Sequence, residues 1–346
     1  MKILKEMDPH IPLIITSLCN NNCLFCTCKL LCGSRGDLNS INPSTEKVKI
    51  AIKNAFYKTR NANDRILKLT GGEVTIRPDF LDLISFAKKV GFERIRIMTN
   101  GRKFADKKFL KEAIKRGLNC FDFALHDSDR ESHERITRVP GSFRETVSGI
   151  KNCATFSSNS NIKMEIGVNT IINKFNCSRL LKIGVFLHNL GIKRWALMEL
   201  FPGGKPEDSF GTYREFAPNL IELSLYLNNH LDRFAHLINQ IDLHDFPWCL
   251  FEPKIFKMKN IIFANILNKR DYSQSKIIGP SPKTEVTKKS ENRKITIPHN
   301  PEKTKFYFCE KCIYFGDCTG IMKYYFKLFG NKEIKILAQK HNLLRQ

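Results

Sequence analysis

The chain has 346 residues, with 57 Lys and Arg against 34 Asp and Glu, a formal net charge of +23 and 42% apolar residues. That length holds one large domain with an extension, or two domains, and no run of about 18 uninterrupted apolar residues marks a membrane-spanning helix. The cation excess admits an acidic or polyanionic partner, but the Lys, Asn and Ile bias runs through the whole chain and singles out no nucleic-acid site.

The start, Met1 to Glu6, has neither the apolar core nor the cleavage site of a signal peptide, which predicts a cytoplasmic protein. Without an export signal, twelve cysteines point to metal or redox use rather than to disulfides. Eight of them fall in two clusters, Cys19, Cys23, Cys26, Cys28 and Cys32 near the start and Cys309, Cys312 and Cys318 near the end. Cys120, Cys153 and Cys177 read as small buried apolar residues.

In chain order, the β-branched run over 11–18 predicts a buried strand. It feeds Cys19, Cys23 and Cys26, at spacings of four and three. A 4Fe-4S cluster wants four Cys ligands, so three thiolates on a short loop leave one iron open to a small chelating molecule. Cys28 and Cys32 lie close by, and on these residues alone a structural zinc or a closed cluster stays open. Those two also read as spare core residues or a redox pair.

Residues 27–43 are polar and turn-rich. Ser44 or Thr45 then caps a helix to about Thr59 with Val48, Ala51, Ile52, Ala55 and Phe56 on one face. A strand over 65–70 precedes a helix from Arg77-Pro78 to Val90, which Gly91 stops. The alternation goes on through strand 94–99, helix 106–116, strand 120–126, helix 142–154, strand 162–170, helix 176–190 and strand 193–200. Repeated βα units imply a parallel sheet with right-handed crossovers. The motifs sit where strands end, as they do when a site lies at the C-terminal rim of a βα barrel.

Four of those strand ends carry recognisable runs. Phe25 precedes the last Cys of the first loop; Ile66 to Thr70 runs into Gly71-Gly72-Glu73; Ile95 to Met98 runs into Thr99-Asn100-Gly101; and Phe121 to His126 is followed by His133-Glu134-Arg135-Ile136 and Gly141-Ser142-Phe143. In order and spacing, over residues 11–201, the chain resembles the radical SAM superfamily. The resemblance implies an α/β fold, a partial (β/α)6 TIM-type barrel with a small irregular Cys-rich C-terminal extension. It implies that Cys19, Cys23 and Cys26 hold the open-iron cluster and that Gly71, Gly72 and Glu73 meet the amino group of S-adenosylmethionine. Two glycines allow close backbone approach and positive φ, and a carboxylate can accept from an ammonium. Phe25, Asn100, Asn169 and Met198 to Leu200 stand where the family contacts the cofactor. The implied reaction is reductive cleavage of S-adenosylmethionine to a 5'-deoxyadenosyl radical that takes a hydrogen atom from a substrate.

Beyond the barrel, expected over 1–204, a helical connection over 205–270 contains a helix at about 214–231 and Cys249 in Pro247-Trp248-Cys249. Residues 271–305, rich in Ser, Lys, Thr, Asn and Pro, read as a flexible basic linker. The segment 306–346 holds Cys309, Cys312 and Cys318, a spacing that predicts a metal site. Cys249 is the candidate fourth ligand. By resemblance this is a short twitch-like or SPASM-like extension with an auxiliary 4Fe-4S cluster, zinc being the alternative, and it carries fewer cysteines than a full SPASM extension. The expected substrate is a peptide or protein, and the expected electron donor a flavodoxin or ferredoxin. The rival readings are an enzyme modifying RNA or a nucleotide-derived metabolite, and an iron–sulfur redox protein that cleaves nothing.

Overall fold

The predicted βα alternation forms, and local sequence explains where its helices begin and stop. The computed structural model describes residues 10–28, 42–58, 65–201, 209–264, 276–277 and 303–344. The first half runs β1 (His10–Thr16), α1 (Thr45–Lys58), β2 (Ile66–Gly71), α2 (Phe80–Val90), β3 (Arg94–Thr99), α3 (Lys107–Lys115), β4 (Cys120–Ala124), α4 (Arg130–Thr137) and α5 (Ser142–Ser158). It continues with β5 (Glu165–Ile171), α6 (Leu180–Asn189), β6 (Arg194–Met198), α7 (Ser209–Phe216), α8 (Leu220–Leu237), β7 (Gln240–His244), β8 (Ile261–Ala264) and β9 (Lys276–Ile277). The C-terminal segment holds β10 (Lys303–Thr304), β11 (Ile321–Met322), α9 (Lys323–Phe329) and α10 (Lys332–Lys340). Gly91, at φ +115°, ends α2 by donating its N–H to the carbonyls of Ala87 and Lys88, and the Asp106 carboxylate caps α3 at Lys108 N and Phe109 N.

The strands make one sheet in the order β8-β7-β6-β5-β4-β3-β2-β1-β9, with every neighbouring pair parallel. The edge strands β8 and β9 are not neighbours, so the barrel is open. The sheet runs past the six expected strands, because β7 and β8 fall in the stretch read as a helical connection. The helix expected at about 214–231 is two helices, α7 and α8. Pro218 lies between them, and the Asn219 side chain caps α8 at Ile221 N and Glu222 N. Residues 278–302 of the expected linker and Cys32 lie outside the described residues. Among the described residues, no helix is long and apolar enough to cross a membrane.

Alternation along each strand divides two environments. Leu67, Leu69, Ile95, Ile97, Phe121, Phe123, Val168 and Trp195 are fully buried in the layer between sheet and helices. The intervening positions are charged: Lys68, Arg96, Asp122, Arg194 and Asp242 come from five consecutive strands and join across the barrel interior. Arg96 donates to Asp122 at 3.1 Å, Lys68 lies 3.5 Å from the same carboxylate, and Arg194 bonds it as well. Arg194 also lies 3.6 Å from Asp242, while Glu165 takes Arg94 at 2.6 Å and also Arg96. Gly167 leaves room for this network, since a Cβ there would come within 2.5 Å of the Arg194 guanidinium.

Asp122 is the hub. Burial opposes its charge, but Arg194, Lys68 and Arg96 outweigh burial and hold its carboxyl well below the usual carboxylate range. A depressed folded-state pKa means stability that is present above the unfolded value, about 3.9, and is lost as pH falls below it. Asp122→Asn strands three cations and is expected to cost about 3–5 kcal/mol, the range for breaking a buried ion pair. Urea unfolding at pH 7 measures the cost, and the variant should lose part of the wild type's stability gradient below about pH 4.

Candidate active site

The first cysteine loop leaves β1 at the open rim and is pinned from two sides. On one side, Asn22 N and Leu24 N donate to the carbonyls of Thr137 and Ile136 at the end of α4, at 2.9 and 3.1 Å. On the other, Arg102 donates to the Asn20 carbonyl and to Asn21 Oδ1 at 3.0 Å, while its Nε is held by Glu145 at 2.6 Å. Asn100 Nδ2 donates to Asn20 Oδ1 at 2.6 Å. Phe25 is 3% exposed, its ring edge-on to His126 and Phe216, so it anchors the loop in the core. Cys19 Sγ accepts from Asn21 N at 3.3 Å, a backbone N–H directed at sulfur as a thiolate ligand needs. Cys28 is engaged elsewhere, its thiol donating to the Gly71 carbonyl at 2.9 Å.

The turn after β2 lies against the start of that loop. Gly72 N and Glu73 N donate to the carbonyls of Thr16 and Leu18 at 2.8 and 2.7 Å. A Cβ on Gly72 would sit 2.1 Å from the Leu18 oxygen, and Gly71 has φ +132°, so both glycines are required by the approach. Glu73, 1% exposed, faces inward: Oε1 accepts from Thr75 N, Thr75 Oγ1 and Thr99 Oγ1, and Oε2 accepts from Asn100 N. Burial pushes its carboxyl above the usual range, and these four bonds work against that rise. The side chain thus ties the β2 turn to the end of β3.

His126 and His133 form a buried pair after β4, with ring centroids 5.9 Å apart. His133 Nδ1 accepts from His126 N, and neither His126 Nδ1 nor His133 Nε2 has a hydrogen-bond partner. Burial lowers the pair to about 3 and 4, so both rings are neutral near pH 7. Asn169 lies in the same rim layer, paired in register with Ala124 and Ala196, and Met198 ends β6. Arg102 and the histidine pair carry no signature in the sequence; only the fold brings them to the loop.

A second constellation assembles from two distant segments. Cys249, Cys309, Cys312 and Cys318 line one cavity together with Trp248, Phe306 and Phe315. Backbone donors face the sulfurs here too. Trp248 N and Gly320 N donate to Cys318 Sγ at 3.4 and 3.3 Å, and Phe306 N donates to Cys309 Sγ at 3.3 Å. Among the described residues, no three His, Cys, Asp or Glu side chains converge closely enough to hold one metal ion. At neither cysteine cluster are the thiols gathered as tightly as a mononuclear zinc site requires. Of the isolated cysteines, Cys120 and Cys153 are buried as expected, whereas Cys177 is only half-buried.

The extension is fastened to the barrel rim by a buried ammonium. Lys303, at the end of the stretch expected as linker, has a side chain 5% exposed and donates to Glu199 Oε2 at 2.6 Å, to the Asp245 carbonyl and to Thr319 Oγ1 at 3.2 Å. Glu199 follows β6 and Asp245 follows β7. Tyr325 adds a second tie, accepting from Leu220 N and donating to Glu333.

Residues 13–168 match the model of the Radical SAM superfamily. A protein named "Probable GTP 3',8-cyclase" from Saccharolobus islandicus is 30% identical over 191 residues, 55% of this chain and 56% of that one. A protein of the same name from Sulfurisphaera tokodaii is 28% identical over 221 residues, 63% of each. The chain thus spans little more than half the length of the former and under two thirds of the latter. Among solved structures, methylornithine synthase (PylB) superposes with a TM-score of 0.50 at 16% identity, covering 74% of this chain and 71% of that one, a likeness of fold.

Proposed function

Residues 13–168 are the radical SAM domain of this chain, and from that premise we propose an enzyme that cleaves S-adenosylmethionine reductively and carries an auxiliary 4Fe-4S cluster beside the barrel mouth. The observation that carries the proposal is the meeting of Cys249, about sixty residues upstream, with Cys309, Cys312 and Cys318 around one cavity. When bound, an open-iron cluster supplies the electron that turns S-adenosylmethionine into a source of a hydrogen-abstracting radical.

The chain's own groups do the positioning. Cys19, Cys23 and Cys26 would hold the first cluster on a loop fixed by Arg102, Asn100 and the α4 carbonyls. Gly71 and Gly72 bring backbone to the cofactor side of that loop, and Glu73 sets the turn. Phe25, packed on Phe216, keeps water from the inner side of the loop. The wider spacing of the C-terminal thiols supports a cluster there over zinc.

The substrate we favour is a peptide or protein. Three cations at the rim, Arg102, Arg179 and Lys303, are already paired with Glu145, Asp127 and Glu199, which supports a polypeptide over a triphosphate. The names of the sequence relatives favour a second reading, a guanine nucleotide. Anaerobic reconstitution with iron and sulfide, reduction by dithionite and assay of 5'-deoxyadenosine tests the chemistry. Addition of GTP or of a peptide library separates the substrates. The Cys19→Ala, Cys23→Ala, Cys26→Ala triple variant should make no 5'-deoxyadenosine and keep about four irons. Loss of all iron would remove the auxiliary site.

A further inference from the structure

The face of the extension over the thiol cavity is apolar at its centre and cationic around it. Six of the twelve large apolar side chains exposed among the described residues lie within 303–344: Tyr307, Ile313, Phe315, Phe326, Phe329 and Ile336. Tyr307 is 71% exposed, the most of any of them. Phe326 continues inward through Phe306, 5.1 Å between centroids, to the rim of the cavity. The same 42 residues hold eight Lys against Glu310, Asp317 and Glu333, a local charge of +5. Those lysines lie among the rings: Lys305 is 4.3 Å from the Phe315 ring centroid and Lys335 5.8 Å from that of Tyr307. Lys305 and Phe315 also line the cavity, so the four thiols lie one side chain below the surface.

An aromatic centre with a single-sign charged fringe is the composition of a transient protein interface that captures its partner by charge. A thiol cluster directly beneath selects the partner's chemistry. We infer that this face docks an acidic one-electron carrier protein, a reading that rests on the auxiliary cluster proposed above. It places the carrier on the extension, away from the first cysteine loop. A nucleic acid would use the lysines but would have no use for the thiols beneath them.

The test is binding of purified, acidic flavodoxin and of an acidic 2Fe-2S ferredoxin to the full chain, read by calorimetry with and without reconstituted iron. Lys305→Glu with Lys335→Glu should weaken at least one carrier about tenfold. Lys89→Glu with Lys111→Glu, an equal charge change on the outer helices α2 and α3, should leave it within about twofold. Wild-type affinity should fall as salt rises. The milder pair Lys305→Gln with Lys335→Gln should weaken binding in the same direction, which guards against misfolding of the reversed variant. Equal loss in both charge-reversed variants, or no binding of either carrier, overturns the inference. It is also overturned if single-stranded RNA alone responds to the variants, or if sedimentation shows that the face joins two copies of the chain. Iron counting in the triple cysteine variant is independent of these arms, so a missing auxiliary cluster and a missing docking face are told apart.

Discussion

Lys303→Met is expected to free the extension from the barrel rim and lower stability by about 3 kcal/mol, near the lower end for breaking a buried ion pair. The wild-type ammonium spends its three donors on Glu199, the Asp245 carbonyl and Thr319, and methionine fills the volume while supplying none. Thr319 follows Cys318, and β10 pairs with β11, so the loss reaches the thiol cavity directly. Glu199 shows the mechanism through pH. Burial, with Asp245 and Tyr213 nearby, pushes its carboxyl up to about 7 even against the opposing Lys303 charge. A raised folded-state value means that stability falls as pH climbs from the unfolded value, about 4.3, to the folded one. Without the ammonium the folded value rises further. The wild type therefore stops losing stability near pH 7, whereas the variant goes on losing it, and the gap in Tm should widen between pH 6 and pH 8.5. A gap that is constant with pH would mean that Lys303 acts by packing alone. The auxiliary iron retained by the first-cluster triple variant should also fall when Lys303→Met is added.

The parts of this molecule that were legible from sequence are those whose chemistry is local. Cys19, Cys23 and Cys26 announce themselves by spacing, the Gly71-Gly72 pair by its need for close approach, and Gly91 by ending a helix. The ionic layer inside the barrel was written in the strands as well, in Ile66-Leu67-Lys68-Leu69 and Arg94-Ile95-Arg96-Ile97. A period of two, however, is the pattern of any half-solvated strand, so it marks the second face without saying whether that face meets water or other charges. β7 was missed because Gln240 to His244 is five residues long and follows directly on an apolar helix end. Lys303 had no signal at all. It belongs to a polar stretch by composition and becomes a buried ammonium only through Glu199, 104 positions away. The C-terminal thiols fall between these cases, because cysteine is scarce enough in a chain to make Cys249 a candidate partner before any fold is known.

Glu73→Gln is expected to destabilise the protein before any cofactor is added, which separates a brace from a ligand. The resemblance implies that Gly71, Gly72 and Glu73 meet the S-adenosylmethionine amino group, and a carboxylate reaching out to an ammonium would leave the empty protein nearly indifferent to its loss. In the fold both oxygens of Glu73 point inward and take four protein donors. Glutamine keeps one acceptor and replaces the other with an NH2 that faces Asn100 N–H, donor against donor. Unsatisfied buried donors cost about 1–3 kcal/mol each, so the glutamine variant should lose about 2–4 kcal/mol and Glu73→Ala rather more. The strain has one place to go: Glu73 N and Gly72 N hold Leu18 and Thr16, the residues that lead into Cys19. Iron uptake by the first site should therefore fall in both variants while the C-terminal thiols load normally, a split readable in a Cys309→Ala, Cys312→Ala, Cys318→Ala background. Unchanged apo stability with S-adenosylmethionine affinity alone reduced would place the Glu73 carboxylate on the cofactor and leave the turn to be held by its glycines.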